Sequence, residues 1–328
     1  MISAGSPRSA GVVNVGSGWF PDNPGGIERY VYDLARHLAD ADAVELCGVG
    51  IPEGATLPGV KLTNLCDPEQ SFIPRLWTAR QGFLDRQITQ PEAVNLHFAL
   101  YGFPILRDLP DVPITCTFHG PWALESQLEK SSQLGVRFKG WIEGRVYQRC
   151  DRFIVLSQAF GEILHQHYGV SREKIHKIPG GVDTQRFQMN LSRGQAREVL
   201  GWPLDRQILF TPRRLVRRMG VDNLLQAIAA VKAKVPDVWL AIAGKGPQRA
   251  ELEAQVTELG LQDTVKFLGF LPEAQLPMAY QAADLTVIPS QALEGFGLVV
   301  LESLASGTPV LCTPVGGMPE IIQGFSPG

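Results

Sequence analysis

Short apolar runs alternate along this chain with segments whose apolar residues recur at helical spacing. Residues 12–16 read as a first strand. Ile27, Tyr30, Val31, Leu34, Ala35 and Leu38 follow it at helical spacing. Residues 44–49, 93–97, 113–118 and 153–157 read as further strands. Leu76, Phe83, Leu84 and Ile88 outline one more helix, and residues 160–168 another. Residues 52–74, broken by Pro52, Pro58, Pro68 and Pro74, read as loop. Beyond a linker and short helix at residues 188–201 the alternation resumes, with strands at 208–211, 239–243, 265–268, 285–288 and 308–312. Such alternation predicts α/β units with parallel, Rossmann-like sheets. The interruption places one domain at residues 1–187 and a second at 188–328.

A length of 328 residues accommodates two domains. Apolar residues make up 45% and charged residues 19%, the balance of a soluble globular protein with a sizeable core. The formal charge of −3 implies no nucleic-acid partner. Cys47, Cys66, Cys116, Cys150 and Cys312 are scattered without a C-x-x-C pair. That spacing predicts reduced thiols in a cytoplasm rather than a disulfide framework or zinc site. No apolar run approaches the ~20 residues that span a bilayer. The opening MISAGSPRSAGVV lacks the charged flank and apolar core of a signal peptide.

The candidate chemistry concentrates in ADLTVIPSQALEGFGLVVLESLASGTPVLCTPVGGMPEII, residues 283–322. A strand leads to Gly295, Phe296 and Gly297, which open a helix carrying Leu298, Leu301, Leu304 and Ala305 on one face. A strand, glycine loop and helix in succession aim free backbone N–H groups and a helix dipole at one point, which suits a phosphate. Glu294 and Glu302 flank that loop. Carboxylates cannot hold phosphate, but they accept hydrogen bonds from sugar and ribose hydroxyls. The alternative is that both are solvated helix residues. Upstream, Arg213, Arg214, Arg217 and Arg218 follow a strand end, and arginine clamps phosphate oxygens in bidentate fashion. Gly244-Lys245-Gly246-Pro247 is half of a dinucleotide fingerprint. Arg249 stands where the third glycine belongs, and residues 264–268 contain no acid to hold a ribose, so a nicotinamide cofactor is not expected.

In the first half, the loop SGWFPDNPGGIE puts Gly25-Gly26 at a helix start, either as a tight turn or as a loop that approaches an anion. Glu28 also fits a first-turn carboxylate complementing the helix dipole. His97 and His119 each end a strand, and strand C-terminal ends face the ligand crevice in open α/β sheets. Trp122 and Glu125 either shape a pocket next to His119 or begin the next helix. Asp40-Ala41-Asp42 is a literal D-x-D, but it precedes a strand instead of following one and reads as a solvated loop. His165 and His167, two apart on one helix, do not form a metal pair. Residues 136–152 carry Arg137, Lys139, Arg145, Arg149 and Arg152 against Glu143 and Asp151. That helix is either a solvated basic face or a surface for an anionic membrane.

E-G-F-G-L-V-V-L-E followed by G-T-P-V and G-G-M-P-E resembles the retaining glycosyltransferases of family 4. So do F-P-x-x-x-G-G-x-E, T-F-H-G, and the Gly181-Val182-Asp183 hinge sequence with Phe187. The resemblance covers nearly the whole chain. It implies a GT-B fold, two facing Rossmann-like domains with a ligand cleft between them. The N-terminal one binds the acceptor and the C-terminal one the nucleotide-sugar donor. It also implies a UDP- or GDP-sugar donor, a hexose-type sugar, a glycan or lipid-linked acceptor, retention of configuration, and neither metal nor cofactor. His119, Arg214 and Glu294 then take catalytic positions. Gly25, Gly26, Arg218, Gly244, Gly295, Phe296, Gly297, Leu298 and Glu302 bind the donor, the first two by touching its diphosphate from the opposite domain. His97 and Trp122 face the acceptor.

Two departures stand out. The family pattern G-R-L-x-x-x-K-G has Met219 at its lysine, so Arg218 or Arg217 must replace that charge. The chain also stops soon after G-G-M-P-E, where relatives continue, and lower stability or activity is expected from that. A non-catalytic nucleotide-sugar-binding or partner subunit, and a sugar-nucleotide epimerase, are the rival readings. The expected location is cytoplasmic, with peripheral contact at the inner membrane face.

Overall fold

The computed structural model describes residues 11–323 except 21 and 24. Pro21 of the F-P-x-x-x-G-G-x-E pattern, its neighbour Pro24 and the chain end after Gln323 therefore lie outside the described residues. Two compact units are present. One holds the chain up to Leu124 together with Ser132–Ile178, and the other holds Glu125–Ser131 together with the chain from Pro179 onward.

In the first unit, strands β1 (Val12–Gly18), β2 (Val44–Val49), β3 (Val60–Asn64), β4 (Ala93–Leu96), β5 (Ile114–Phe118), β6 (Arg152–Val155) and β7 (Ile175–Lys177) form one sheet. Its order is β3-β2-β1-β4-β5-β6-β7, parallel throughout. In the second, β8 (Gln207–Pro212), β9 (Val238–Ala243), β10 (Val265–Gly269), β11 (Leu285–Ile288) and β12 (Val310–Cys312) take the order β10-β9-β8-β11-β12, again parallel. Both orders run outward in opposite directions from a central strand, so each sheet has a topological switch point. One lies between β1 and β4, the other between β8 and β11. Loops leaving the strands there are where doubly wound sheets seat ligands.

The strands form because their residues are buried from both sides. All six residues of β2, VELCGV, are buried, the acid Glu45 included. Its carboxylate accepts hydrogen bonds from the Thr63 hydroxyl at 2.6 Å and from the backbone N–H groups of Gln87 at 2.7 Å and Ile88 at 2.5 Å. A buried charge held this way is tolerable because its lone pairs are used. Thr63 belongs to β3, which overturns the reading of residues 52–74 as continuous loop. The strand VKLTN lies at the sheet edge and is only half-buried, so it shows no apolar run. Helix Phe72–Leu84 also begins inside the supposed loop.

Aromatic side chains fill the cores. In the first unit Phe118 packs against Phe160 at 5.5 Å and Tyr147 at 6.0 Å between ring centroids. In the second, Tyr280 is fully buried between Phe210 at 5.3 Å and Phe187 at 6.0 Å. Removing such rings from water contributes about 1.5–3 kcal/mol each. Cys47, Cys66, Cys116 and Cys150 are buried free thiols. No helix of the described residues is long and apolar enough to cross a membrane.

Candidate functional site

The second unit's switch point is built from three loops, those following β8, β9 and β11. Sheet pairing continues into the first two. The Arg213 N–H donates to the Ala243 carbonyl at 2.8 Å, and the Leu215 N–H to the Lys245 carbonyl at 2.9 Å. Gly244 makes that approach possible: its φ is +149°, and a Cβ there would lie 2.0 Å from the Arg213 carbonyl oxygen. The third loop joins them where the Gln291 N–H donates to the Arg218 carbonyl at 2.8 Å. Gly316, with φ +59°, lies flat on the Glu294 backbone, and the Gly317 N–H donates to the Glu294 carbonyl at 3.0 Å. The Gly316-Gly317 turn thus fixes the backbone of Glu294.

The Glu294 side chain is fixed as well. The Arg213 guanidinium ion-pairs with its Oε2 and donates to the Ser290 hydroxyl, which donates to the same Oε2 at 3.1 Å. Ser290 is itself held by the Thr313 hydroxyl, which donates to its carbonyl. The Glu294 Oε1 takes no hydrogen bond from the described residues. Burial pushes the Glu294 carboxyl up. The Arg213 charge and hydrogen bond, then Arg218 and Ser290, outweigh burial and leave it below its ordinary value. The site therefore presents an ionised carboxylate with one oxygen clamped and the other open to a hydroxyl. Arg213 was the residue missed in the sequence. It reads as one of four loop arginines, yet it is buried, and its Nε has no hydrogen-bond partner among the described residues.

The other arginines divide by environment. Arg214 is exposed, and its side chain makes no hydrogen bond or ion pair with the described residues. Arg218 is buried, donates to the Leu293 carbonyl at 3.0 Å and pairs with Glu125 at 3.0 Å. Burial lowers its pKa, and the Glu125 charge opposes that. Met219 takes the family's lysine position and is buried, its Sδ 3.9 Å from the Ser290 hydroxyl. The Glu129 carboxylate accepts the backbone N–H groups of Arg217 at 3.2 Å and Arg218 at 3.3 Å, so an anion already occupies these amides.

Helix Leu298–Ala305 starts at Gly297, whose φ is +93°. Of its first-turn N–H groups, that of Val300 donates to the Gly297 carbonyl at 2.8 Å. The face carrying Leu298, Leu301, Leu304 and Ala305 is only half-buried. Val300, Glu302 and Ser303 are the buried positions. Polar partners explain this: the Ser303 hydroxyl donates to Thr286 Oγ1 at 2.7 Å, and the Tyr280 hydroxyl donates to Glu302 Oε2 at 2.7 Å. Phe296 is buried and Gly295 half-buried in the turn before the helix.

In the first unit, Gly25 is the N-cap of helix Gly26–Leu38. Glu28 folds back against it while accepting the Ser17 hydroxyl at 2.6 Å, so Glu28 shapes the loop beyond complementing the dipole. His97 and His119 follow the adjacent strands β4 and β5, and their facing nitrogens, His97 Nδ1 and His119 Nε2, are 3.1 Å apart. His97 is 2% exposed, enclosed by Asn14 at 3.1 Å and Asn95 at 3.0 Å. It therefore stands behind His119, which is half-buried against Tyr30 at 4.9 Å. Burial lowers His119 to about 4, and burial followed by the neighbouring His119 holds His97 well below its ordinary value, so both rings are neutral near pH 7. Asp40-Ala41-Asp42 lies in the turn between helix Gly26–Leu38 and the start of β2, the strand end away from this loop set.

Trp122 begins helix Trp122–Leu128, and its ring lies under Lys139 Nζ at 4.9 Å. Glu143 secures that start, accepting the N–H groups of Trp122 at 2.7 Å and Ala123 at 3.1 Å and the Tyr168 hydroxyl at 2.9 Å. Burial nevertheless pushes Glu143 to about 7 from 4.5, against those hydrogen bonds. A raised folded pKa means that stability is fully present below the unfolded value and is lost as pH rises through about 7. The full loss is on the order of 3 kcal/mol. The thermal midpoint of the wild type, measured against Glu143→Gln, is expected to fall across that interval. A difference independent of pH would sink the assignment.

The halves of the chain match two family descriptions. Residues 24–186 match Glycosyltransferase Family 4, and residues 192–328 match Glycosyl transferases group 1. Among similar proteins is a D-inositol 3-phosphate glycosyltransferase of Mycolicibacterium smegmatis. It is 32% identical over 313 residues, which cover 90% of this chain and 69% of that protein. Its namesake in Segniliparus rotundus is 32% identical over 83% of this chain, and the chain spans only 64% of that relative's length. A sucrose-phosphate synthase from Thermosynechococcus elongatus superimposes with a TM-score of 0.77 at 25% identity, covering 95% of this chain and 82% of that one. Anabaena HepE, solved with UDP and glucose, does so with 0.73 at 23% identity over the same shares. The doubly wound units, the glycine-stitched carboxylate and these likenesses agree: the chain has the GT-B fold and belongs to glycosyltransferase family 4.

Proposed function

We propose that this chain transfers a hexose-type sugar from a nucleotide-diphosphate sugar, carrying UDP or GDP, to a glycan or lipid-linked acceptor with retention of configuration. The observation that carries the reading is the Arg213–Glu294–Ser290 cluster beside an unpaired Arg214 at the β8/β11 switch point. A carboxylate with one open oxygen accepts a sugar hydroxyl, and a free guanidinium meets the negative charge that grows on a departing diphosphate. Because that charge is greatest in the transition state, Arg214 acts on the rate more than on binding. The turn Gly295–Gly297 adds N–H groups for phosphate oxygens. Glu302 holds the ribose hydroxyls. Neutral His119 positions the acceptor or sugar by hydrogen bonding, with His97 orienting its ring. Peripheral contact with a cytoplasmic membrane face would bring a lipid-linked acceptor within reach.

Calorimetric titration with UDP, GDP and ADP tests the donor half of this reading. One nucleotide is expected to bind, and Glu302→Ala is expected to weaken it at least about tenfold, the equivalent of ~1.4 kcal/mol. Binding of none to the folded chain overturns the reading. The buried Met219 favours one rival, a nucleotide-sugar-binding subunit that transfers nothing. Loss of sugar transfer or donor hydrolysis in Glu294→Ala, with nucleotide binding retained, excludes that rival.

A further inference from the structure

Three polar side chains are buried inside the first sheet, on three neighbouring strands: Asn14 of β1, Asn95 of β4 and Thr117 of β5. Asn14 and Asn95 stand opposite each other in the β1–β4 pairing. Strands buried on both faces favour apolar residues, and a buried amide or hydroxyl costs stability unless it is bonded. These three bond to one another and then to His97. The Thr117 hydroxyl donates to Asn95 Oδ1 at 3.1 Å. Asn95 Nδ2 lies 3.3 Å from Asn14 Oδ1 and 3.0 Å from His97 Nε2. His97 Nδ1 meets His119 Nε2 at 3.1 Å, which completes a line from Thr117 to His119. The cluster does not fully satisfy itself, since Asn14 Nδ2 has no partner among the described residues. Packing alone does not call for such a cluster; what it determines is the state of His97.

Counting donors places the hydrogens. Thr117 claims the Asn95 oxygen, which turns the Asn95 amide nitrogen toward Asn14 and His97. That nitrogen has two hydrogens, and Asn14 Oδ1 and His97 Nε2 are there to accept them. His97 Nε2 therefore presents a lone pair. Both rings are neutral near pH 7, so the His97 proton sits on Nδ1 and is donated to His119 Nε2. The His119 proton is left on Nδ1, which makes no hydrogen bond with the described residues. The opposite assignment donates His97 Nε2–H to Asn14 Oδ1 at 3.1 Å. It then aims an Asn95 hydrogen at another N–H and leaves it buried and unmet, a cost that buried amides avoid. Packing restrains the rings from turning over. Tyr30 lies 4.9 Å from His119 and 6.2 Å from His97, and the two imidazoles stack at 5.4 Å.

We propose that Asn95, its amide fixed by Thr117, is a positioning residue that acts through His97 to hold His119 as the Nδ1–H tautomer, so that His119 offers a hydrogen-bond donor to a substrate oxygen. The use of that donor rests on the transfer reading. The tautomer does not, and it is read without substrate. Histidine-selective 15N labelling of the full chain with two-bond 15N–1H correlation distinguishes the tautomers, and His97→Gln and His119→Gln assign the rings. Wild-type His97 and His119 are both expected as Nδ1–H. Asn95→Asp keeps the shape but puts an acceptor where the donor stood. In mildly alkaline buffer both rings are expected to reverse to Nε2–H. Thr117→Val frees the Asn95 amide to turn over and is expected to give a mixture of the two forms. It carries the same test if Asn95→Asp does not fold. Sugar transfer is expected to fall at least about tenfold in Asn95→Asp, with nucleotide affinity unchanged. On a His119→Ala background Asn95→Asp is expected to cost nothing further, because its effect runs through His119. His119 found as Nε2–H in the wild type, or tautomers unmoved by either substitution, overturns the proposal. Reversed tautomers with unchanged transfer overturn the role of the His119 donor. A wild type that transfers no sugar counts against the transfer reading, while the tautomers and their reversal still decide the action of Asn95 on His119.

Discussion

Arg213→Met is expected to destabilise the second unit by about 3–5 kcal/mol and to invert the acid–base behaviour of Glu294. The guanidinium is buried and the carboxylate is 13% exposed, and the attraction of Arg213 is what overcomes the desolvation of Glu294. Methionine fills similar volume but leaves the carboxylate charged in a low-dielectric site with only Ser290 and the more distant Arg218 to answer it. In the wild type the folded pKa is depressed. The contribution of Glu294 to stability is therefore present above its unfolded value and is lost as pH falls through the folded one. Without Arg213, burial dominates and the folded pKa rises above the unfolded one. The variant should then lose stability as pH rises, the opposite slope.

Urea melts at acidic and neutral pH measure this. Adding Glu294→Gln to Arg213→Met removes the stranded charge and is expected to recover stability, so the two substitutions are strongly non-additive. Additive losses with an unchanged pH slope would show that Arg213 acts through packing alone. Sugar transfer should fall in both single variants, because Glu294 needs its charge and its fixed rotamer to receive a hydroxyl.

Arg213 also marks where sequence reasoning ended. The alternation of apolar strands and helices carried the two parallel sheets, because burial on both faces leaves a continuous signal. The motif E-G-F-G-L-V-V-L-E singled out Glu294, since glycines that permit close backbone approach leave a recognisable spacing. Four arginines in a row of six positions gave no means of ranking them. Their separation into a buried partner of Glu294, an exposed free group and a buried partner of Glu125 depends on which way each side chain leaves its loop. A loop has no periodicity from which to read that.

The same gap explains the other misreadings. Strand β3 was hidden by its half-exposed edge position. Helix Leu298–Ala305 turned its serine and glutamate inward because Thr286 and Tyr280 satisfy them, and such partners lie far away in sequence.

Arg214→Ala separates chemistry from structure, and its effect should be the mirror image of that of Arg213→Met. The side chain is exposed and holds nothing in place, so the melting transition should move by no more than about 0.5 kcal/mol in stability. Nucleotide-sugar turnover should fall about a hundred- to a thousand-fold, the usual cost of removing one charged donor aimed at developing charge. If that charge is on the leaving diphosphate, kcat falls while KM changes little, because the interaction strengthens only on the way to the transition state. Arg214→Lys keeps the charge but loses the planar fork, so partial recovery is expected. Steady-state kinetics with the donor identified by titration measures all three. Turnover of Arg214→Ala within about threefold of wild type would remove Arg214 from the catalytic role and pass it to Arg217, the other exposed arginine of the loop. A rise in KM at constant kcat would make Arg214 a donor-binding group only. A shifted melting transition would mean that the guanidinium has a structural partner after all.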